Sequence, residues 1–239
     1  MSASTVADLV ADQLHTAATT PGARLLILCP PQTGKTHGAR LGMARYLRDA
    51  PGRRCTYATY DQRAAFFHTQ TVRSLLRTRL ARSALRPAAP GQPLDDPPAD
   101  LAVLDDLVRD HRQAHSAIGR AATWSWWAKT VAGHLAADAS VVVVMSARHH
   151  DDLAGRLIAR ERTTAEGGPW RLLSLPVWAA DTDPLGRPPG APLRPLSVPT
   201  DRPDDWADYW DLLRTHTPPD DWRALYACQP SPPDEKENR

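Results

Sequence analysis

The chain has 239 residues, of which 42% are hydrophobic and 23% charged, with a net charge of +2. That balance excludes collagen, coiled coil and full disorder, and it lacks the strong basic excess that is the usual footprint of nucleic-acid binding. The longest apolar runs, residues 25–29 and 141–145, are too short to cross a bilayer. No basic-then-apolar segment opens the chain, so a soluble cytoplasmic protein without a signal peptide is expected.

Residues 6–18 carry apolar side chains at helical spacing, and Thr20-Pro21-Gly22 ends that helix. Residues 24–29 read as a buried strand, 38–48 as an amphipathic helix, 54–59 as a second strand and 62–82 as a long helix with Arg on its exposed face. Residues 85–99 are rich in proline and read as a loop or linker. A short strand at 101–104 runs into Asp105-Asp106. A helix with three Trp is expected over 113–135, an uninterrupted apolar strand over 140–145 and a helix over 151–160. A last strand is expected at 172–175, then an irregular proline-rich stretch over 184–203. Two short helices at 204–213 and 220–228 precede a polar tail. Strands alternating with helices predict an α/β fold with a central, mainly parallel sheet flanked by helices.

Chemistry concentrates at one junction. The first strand runs straight into Pro30-Pro31-Gln32-Thr33-Gly34-Lys35-Thr36 and then a helix. A Gly-Lys-Thr triplet alone is weak, but strand, tight loop and helix are the context that a phosphate-binding loop requires. Pro31, Gln32, Thr33, Gly34, Lys35 and Thr36 are the candidate nucleotide-binding loop, and backbone N–H groups at the helix start would cradle the phosphates. Lys35, read as an exposed cation that adds nothing to the core, would neutralise the β- and γ-phosphates of ATP. The Thr36 hydroxyl would hold Mg²⁺. A second acidic strand end is needed, and it is supplied by Asp105 and Asp106 on a strand expected to lie beside the loop strand. Asp105 would orient the metal through a bound water, and Asp106 would polarise the attacking water. The alternative for the pair is an ordinary strand-end cap.

The ordered motifs resemble those of large terminase subunits, the DNA-packaging motors of tailed bacteriophages. Pro30-Pro31 ahead of Gly34-Lys35-Thr36 is similar to their Walker A segment. Tyr57 to Ala65 with Val72 to Leu76 resembles their second strand and following helix, and Ala99 to Arg109 their Walker B strand. Ala114-His115-Ser116 and Trp124-Ser125-Trp126-Trp127 resemble the helix that follows. Val141 to Ser146 with His149 to Leu157, then Trp170, Leu175-Pro176, Asp183 to Arg187 and Trp222 to Tyr226 follow in the family's order. The resemblance spans roughly residues 20–230. It implies a P-loop ATPase that drives double-stranded DNA into a capsid in the host cytoplasm. The implied setting is a homo-oligomeric ring at the portal protein, with a terminase small subunit as partner and no membrane. It also implies an ATPase domain over 1–200 and a helical appendage and tail over 201–239, with no nuclease domain in this chain.

The sequence departs from the family in several places. Gln32 and Thr33 stand where the family often has a basic residue. Ser146, the coupling hydroxyl, is followed by Ala147 and then Arg148, so the Arg is displaced by one position. Arg148 is the candidate arginine finger in cis. Arg79, Arg82 and Arg86, on a mobile surface segment, are the candidates in trans. Other readings stay open: a helicase-like ATPase acting on nucleic acid, or a terminase-derived protein of non-catalytic assembly. Trp124, Trp126 and Trp127 fit a core better than base stacking. His149-His150-Asp151-Asp152 fits a helix N-cap better than a metal site. Arg73, Arg77, Arg79, Arg82 and Arg86 suit either DNA phosphates or a solvated face. Cys29, Cys55 and Cys228 are scattered and read as reduced structural thiols.

Overall fold

The computed structural model describes residues 5–50, 52–76, 84–95 and 97–230. Its centre is a six-stranded, all-parallel sheet in the order β3-β2-β4-β5-β1-β6. The strands are β1 (Arg24–Leu28), β2 (Cys55–Ala58), β3 (Leu85–Ala88), β4 (Ala99–Asp105), β5 (Leu135–Met145) and β6 (Trp170–Ser174). The helices are α1 (Val6–Thr19), α2 (Lys35–Asp49), α3 (Gln62–Leu75), α4 (His111–His115), α5 (Ala117–Trp126), α6 (Leu153–Glu161), α7 (Pro203–Thr215) and α8 (Pro219–Leu225).

The apolar runs at 25–28 and 141–145 are strands buried on both faces, which is why they read as continuous rather than alternating. Leu25, Ile27, Val142 and Val144 face α1, α2 and α3. Their neighbours Leu26, Leu28, Val141 and Val143 face Trp126, Trp127, Leu153, Leu157 and Trp170. Trp126 and Trp127 are therefore core residues, and Trp124 is half-buried beneath Arg160.

α1 and α2 pack closely because α2 offers glycine where α1 crosses it. A Cβ on Gly38 would stand 2.5 Å from the Ala7 carbonyl oxygen and 2.7 Å from Val10 Cβ. One on Gly42 would meet the Ala11 oxygen at 2.8 Å. α1 starts on a reciprocal cap, Thr5 Oγ1 accepting from Asp8 N–H while Asp8 accepts from Thr5 N–H. The α1–α2 contact fixes the start of α2, and with it the loop before Lys35.

Four expectations change. The strand carrying Asp105 is not the neighbour of β1, because β5 lies between them, Leu26 pairing with Val143 and Val143 with Leu104. β5, apolar on both faces, takes the fully covered central place. The stretch from 85 is not all loop: β3 is a parallel edge strand, and Pro87 sits in it opposite Tyr57. An edge position tolerates a residue with no N–H to donate. Arg86 is therefore in a strand and not on a mobile segment. The helix expected over 62–82 ends at Leu75, and residues 77–83, with Arg77, Arg79 and Arg82, lie outside the described residues, as does the tail from 231. The single helix expected over 113–135 is α4, α5 and one π-helical and one 3₁₀ turn. Among the described residues no helix is long and apolar enough to cross a membrane.

After β6 the chain makes a loop-rich wall. Val177, Trp210 and Trp222 form a small apolar cluster there. Trp210 Nε1 donates to the Leu193 carbonyl, and Val177 N–H donates to the Tyr226 carbonyl. α7 and α8 are thereby tied to the segment that follows the sheet.

Candidate functional site

Three strand ends, β1, β5 and β4, converge on one crevice. Cys29 N–H donates to the Met145 carbonyl at 3.1 Å, and Asp106 N–H to the Val144 carbonyl at 3.0 Å. The loop from β1 to α2 is thus fixed against β5, and the acidic pair is fixed on β5's other side.

The loop itself is shaped by backbone. Gly34, the N-cap of α2, has φ +97°, the left-handed region that glycine enters without a Cβ penalty. Gln32 is also left-handed, at φ +57°, and its carbonyl accepts from Leu196 N–H at 3.1 Å. Buried Thr33 donates its hydroxyl to the Pro30 carbonyl at 2.8 Å, closing the turn beside Pro31. Gly38 N–H donates to the Gly34 carbonyl, so the helix begins there and the N–H groups ahead of it have no intrahelical acceptor.

Lys35 is 5% exposed and its ammonium lies 2.9 Å from Asp106 Oδ2. The expected exposed cation is therefore a buried one. Burial alone would lower its pKa, but the Asp106 charge, with Cys29 and Asp105, outweighs that and raises it. Thr36 donates its hydroxyl to Asp105 Oδ1 at 3.1 Å, and the Tyr57 hydroxyl donates to Asp105 Oδ2 at 2.6 Å. Asp105 is 1% exposed; burial and the neighbouring Asp106 charge push its carboxyl up to about 6 against the opposing pull of Tyr57, Lys35 and Thr36. Asp106 takes a left-handed backbone at φ +44°, which Asp tolerates better than most residues, and this turns its carboxylate toward both Lys35 and the Ser146 N–H at 2.9 Å. The Ser146 hydroxyl is buried with no hydrogen-bond partner among the described residues.

The structure therefore brings together Gly34, Lys35, Thr36, Asp105, Asp106 and Ser146. Arg148 follows on the same loop; its N–H donates to Asp152 and its side chain is half-buried. Arg86 is on β3, separated from β1 by β2, β4 and β5. Arg73 donates to the Leu85 carbonyl and so ties α3 to β3. Asp152 caps α6 by accepting from Gly155 N–H, as expected for a helix start. Tyr57 went unread as a site residue. The available signal was a tyrosine on a strand of otherwise small residues, whose neighbour bears the acidic pair.

A cavity of about 880 Å³ opens beside the loop, with Thr33, His37, Leu185, Arg194, Leu196 and Trp206 in its wall. Its size and mixed lining suit a small organic ligand.

An all-parallel α/β sheet with helices on both faces, and a glycine-lysine-threonine loop at the strand ends, has the architecture of the P-loop ATPase class. The chain is similar to solved phage proteins of that class. It matches a mutant large terminase ATPase domain of Thermus phage P74-26 with a TM-score of 0.58 and 14% identity, over 93% of each chain. It matches the large terminase of bacteriophage HK97 with a TM-score of 0.50 and 13% identity, over 93% of this chain but 49% of that one. At these identities the likeness is one of fold, and the fold is that of phage large-terminase ATPase domains. No protein-family model matches the sequence, and no curated protein matches it.

Proposed function

We propose that this chain is the ATP-hydrolysing motor domain of a phage-type large terminase, using ATP turnover to move double-stranded DNA into a capsid. One observation carries the reading: Lys35–Asp106 at 2.9 Å and Thr36–Asp105 at 3.1 Å join the loop and the acidic strand end across one buried crevice. The residues fit ATP and Mg²⁺. Lys35 offers a buried cation, Ser146 an unpartnered buried hydroxyl, and Thr36 with Asp105 a hard oxygen pair.

In this reading Pro31, Gln32, Thr33, Gly34, Lys35 and Thr36 bind the phosphates, and Thr36 and Asp105 hold the metal. Mg²⁺ supplies charge neutralisation at the β- and γ-phosphates when bound. Arrival of the phosphates draws Lys35 away from Asp106, which frees that carboxylate to accept a proton from the attacking water. The new P–O bond forms as the bond to the β-phosphate oxygen breaks, leaving ADP and inorganic phosphate. Ser146, whose N–H holds Asp106, reports the change to β5, and Arg148 on the same loop is the cis arginine nearest the crevice in sequence. The neighbouring cavity accommodates the base and ribose.

The proposed ATPase domain is residues 1–200, with 201–239 a C-terminal helical appendage and tail. The proposed partners are DNA, a portal protein, a terminase small subunit and further copies in a ring. The test is ATP turnover by purified protein with Mg²⁺, with and without double-stranded DNA. DNA-stimulated turnover is expected. Absence of nucleotide binding would overturn the site, and nucleotide binding without turnover under any condition would favour a non-catalytic role.

A further inference from the structure

Away from the crevice, three side chains from distant parts of the chain meet. His111 and His115 lie one turn apart on α4, the spacing at which two imidazoles share a helix face and chelate one ion. Asp221, in the first turn of α8, reaches both: its Oδ2 is 3.3 Å from His111 Nε2 and its Oδ1 is 3.5 Å from His115 Nε2. All three ligand atoms lie within 4.8 Å of one another.

We propose that His111, His115 and Asp221 form a binding site for a borderline-soft divalent ion of the Zn²⁺ type, which clasps α8 to α4. With metal–ligand bonds of about 2.0–2.1 Å, the edges of a tetrahedral site measure about 3.3–3.4 Å. Each histidine already stands about that far from one Asp221 oxygen, His111 Nε2 3.3 Å from Oδ2 and His115 Nε2 3.5 Å from Oδ1, and a single oxygen serving both stays within 4.8 Å of each. The histidine–histidine edge closes by at most about 1.4 Å, a side-chain rotation for rings that are exposed and now stacked 4.0 Å apart. Two imidazoles and one carboxylate suit Zn²⁺ and its neighbours and not Mg²⁺ or Ca²⁺, which prefer all-oxygen shells. The site is therefore chemically separate from the Thr36–Asp105 pair.

Its position gives it consequence. α4 follows directly on the loop after Asp106, and α8 carries Trp222 of the apolar cluster that anchors the C-terminal helices. An ion here links the acidic strand end to that wall.

The test titrates nucleotide-free, chelator-treated full chain with Zn²⁺, and separately Co²⁺, in millimolar Mg²⁺ so that the crevice is filled. One equivalent is expected to bind with micromolar affinity, and Co²⁺ to give visible absorption of a nitrogen–oxygen site. At a hundredfold excess over Kd the melting temperature is expected to rise by about 5–10 °C. His111→Ala and His115→Ala each weaken binding at least tenfold, and the double variant abolishes it along with the thermal shift. His216→Ala, at an exposed histidine elsewhere, changes neither. Absence of saturable binding near one equivalent, or binding that survives the double variant, overturns the proposal. Neither outcome touches the ATPase reading.

Discussion

Arg187 and Lys35 are both cations held mostly out of water, and they differ in how fully they are bonded. In the wall after β6, all five N–H donors of Arg187 are used. Nε donates to Asp183 Oδ1 at 3.2 Å; Nη1 donates to the Val177 and Ala191 carbonyls at 3.0 and 3.2 Å; Nη2 donates to the Pro176 carbonyl at 2.9 Å and Asp183 Oδ2 at 2.7 Å. In the crevice, Lys35 has one ion-pair partner among the described residues, and a buried hydroxyl nearby has none. A saturated cation holds loops together; an unsaturated one beside an orphan hydroxyl is arranged for a ligand that brings acceptors. The comparison predicts that changes in the wall lower stability and changes in the crevice lower turnover.

The largest effect is expected in the wall. Arg187→Ala leaves the buried Asp183 carboxylate without its cation and the Pro176 carbonyl without its donor, while the Val177 and Ala191 carbonyls keep the Leu193 and Ala179 N–H groups, so unfolding free energy falls by about 3–5 kcal/mol. Denaturant unfolding measures it. A loss below about 1 kcal/mol would mean that the wall rearranges around the gap and that saturation is no mark of a structural role.

Lys35→Ala is expected to cut ATP turnover by about 10³-fold, or about 4 kcal/mol, through loss of charge at the phosphates, with circular dichroism of the folded chain retained. Turnover within tenfold of the parent would dismiss the crevice as the catalytic centre. Asp106→Asn should keep nucleotide bound and slow hydrolysis by about 10²-fold, as befits loss of a proton acceptor. If that variant instead loses Mg²⁺-dependent binding while Asp105→Asn slows chemistry, the two carboxylates have exchanged roles.

How much of this was legible follows from where each signal lives. The central strands were readable because burial on both faces writes an unbroken apolar run. The loop was readable because lysine and threonine follow its glycine directly in sequence. β3 was missed because an edge strand tolerates Pro87 and so resembles a loop. Strand order is a tertiary property, and nothing local says that β5 comes between β1 and β4. Lys35 was misread as exposed because its burial depends on Asp106, which lies far along the chain. The clasp residues show the same limit: the His111–His115 spacing is visible, but Asp221 joins them only after folding.

Gly38→Ala tests how far the crevice depends on the α1–α2 contact. Helix propensity favours alanine by up to about 1 kcal/mol, but the added methyl would collide with the Ala7 oxygen and Val10 Cβ. Overpacking of this kind costs about 1–3 kcal/mol, so a net loss of stability is expected, with weaker nucleotide binding as the loop at Gly34 shifts. A stabilised variant with unchanged binding would show that α1 slides freely.

The smallest expected effect is a pH dependence, and it separates the two regions most finely. Asp105, with its carboxyl held up near 6 by burial and the Asp106 charge, takes up a proton in the folded chain before an unfolded aspartate would, at about 3.9. Its ionised form therefore costs the ligand-free fold stability above pH 6. That cost is removed as pH falls through 6, so this group's contribution makes the ligand-free protein more stable toward pH 5. Mg²⁺ requires the ionised form, so metal-dependent nucleotide affinity should move the opposite way, weakening by up to about tenfold for each pH unit below 6, which is about 1.4 kcal/mol. Asp183 is a contrast: burial raises its carboxyl, but the hydrogen bonds and charge of Arg187 prevail and hold it below the usual range, so it stays ionised across this window. Nucleotide affinity and ligand-free unfolding, both measured from pH 5 to 7.5 in the parent and in Asp105→Asn, check the prediction. Opposed slopes in the parent that vanish together in the variant are expected. An affinity that stays flat down to pH 5 would mean that Asp105 does not titrate in this range and that another group holds the metal.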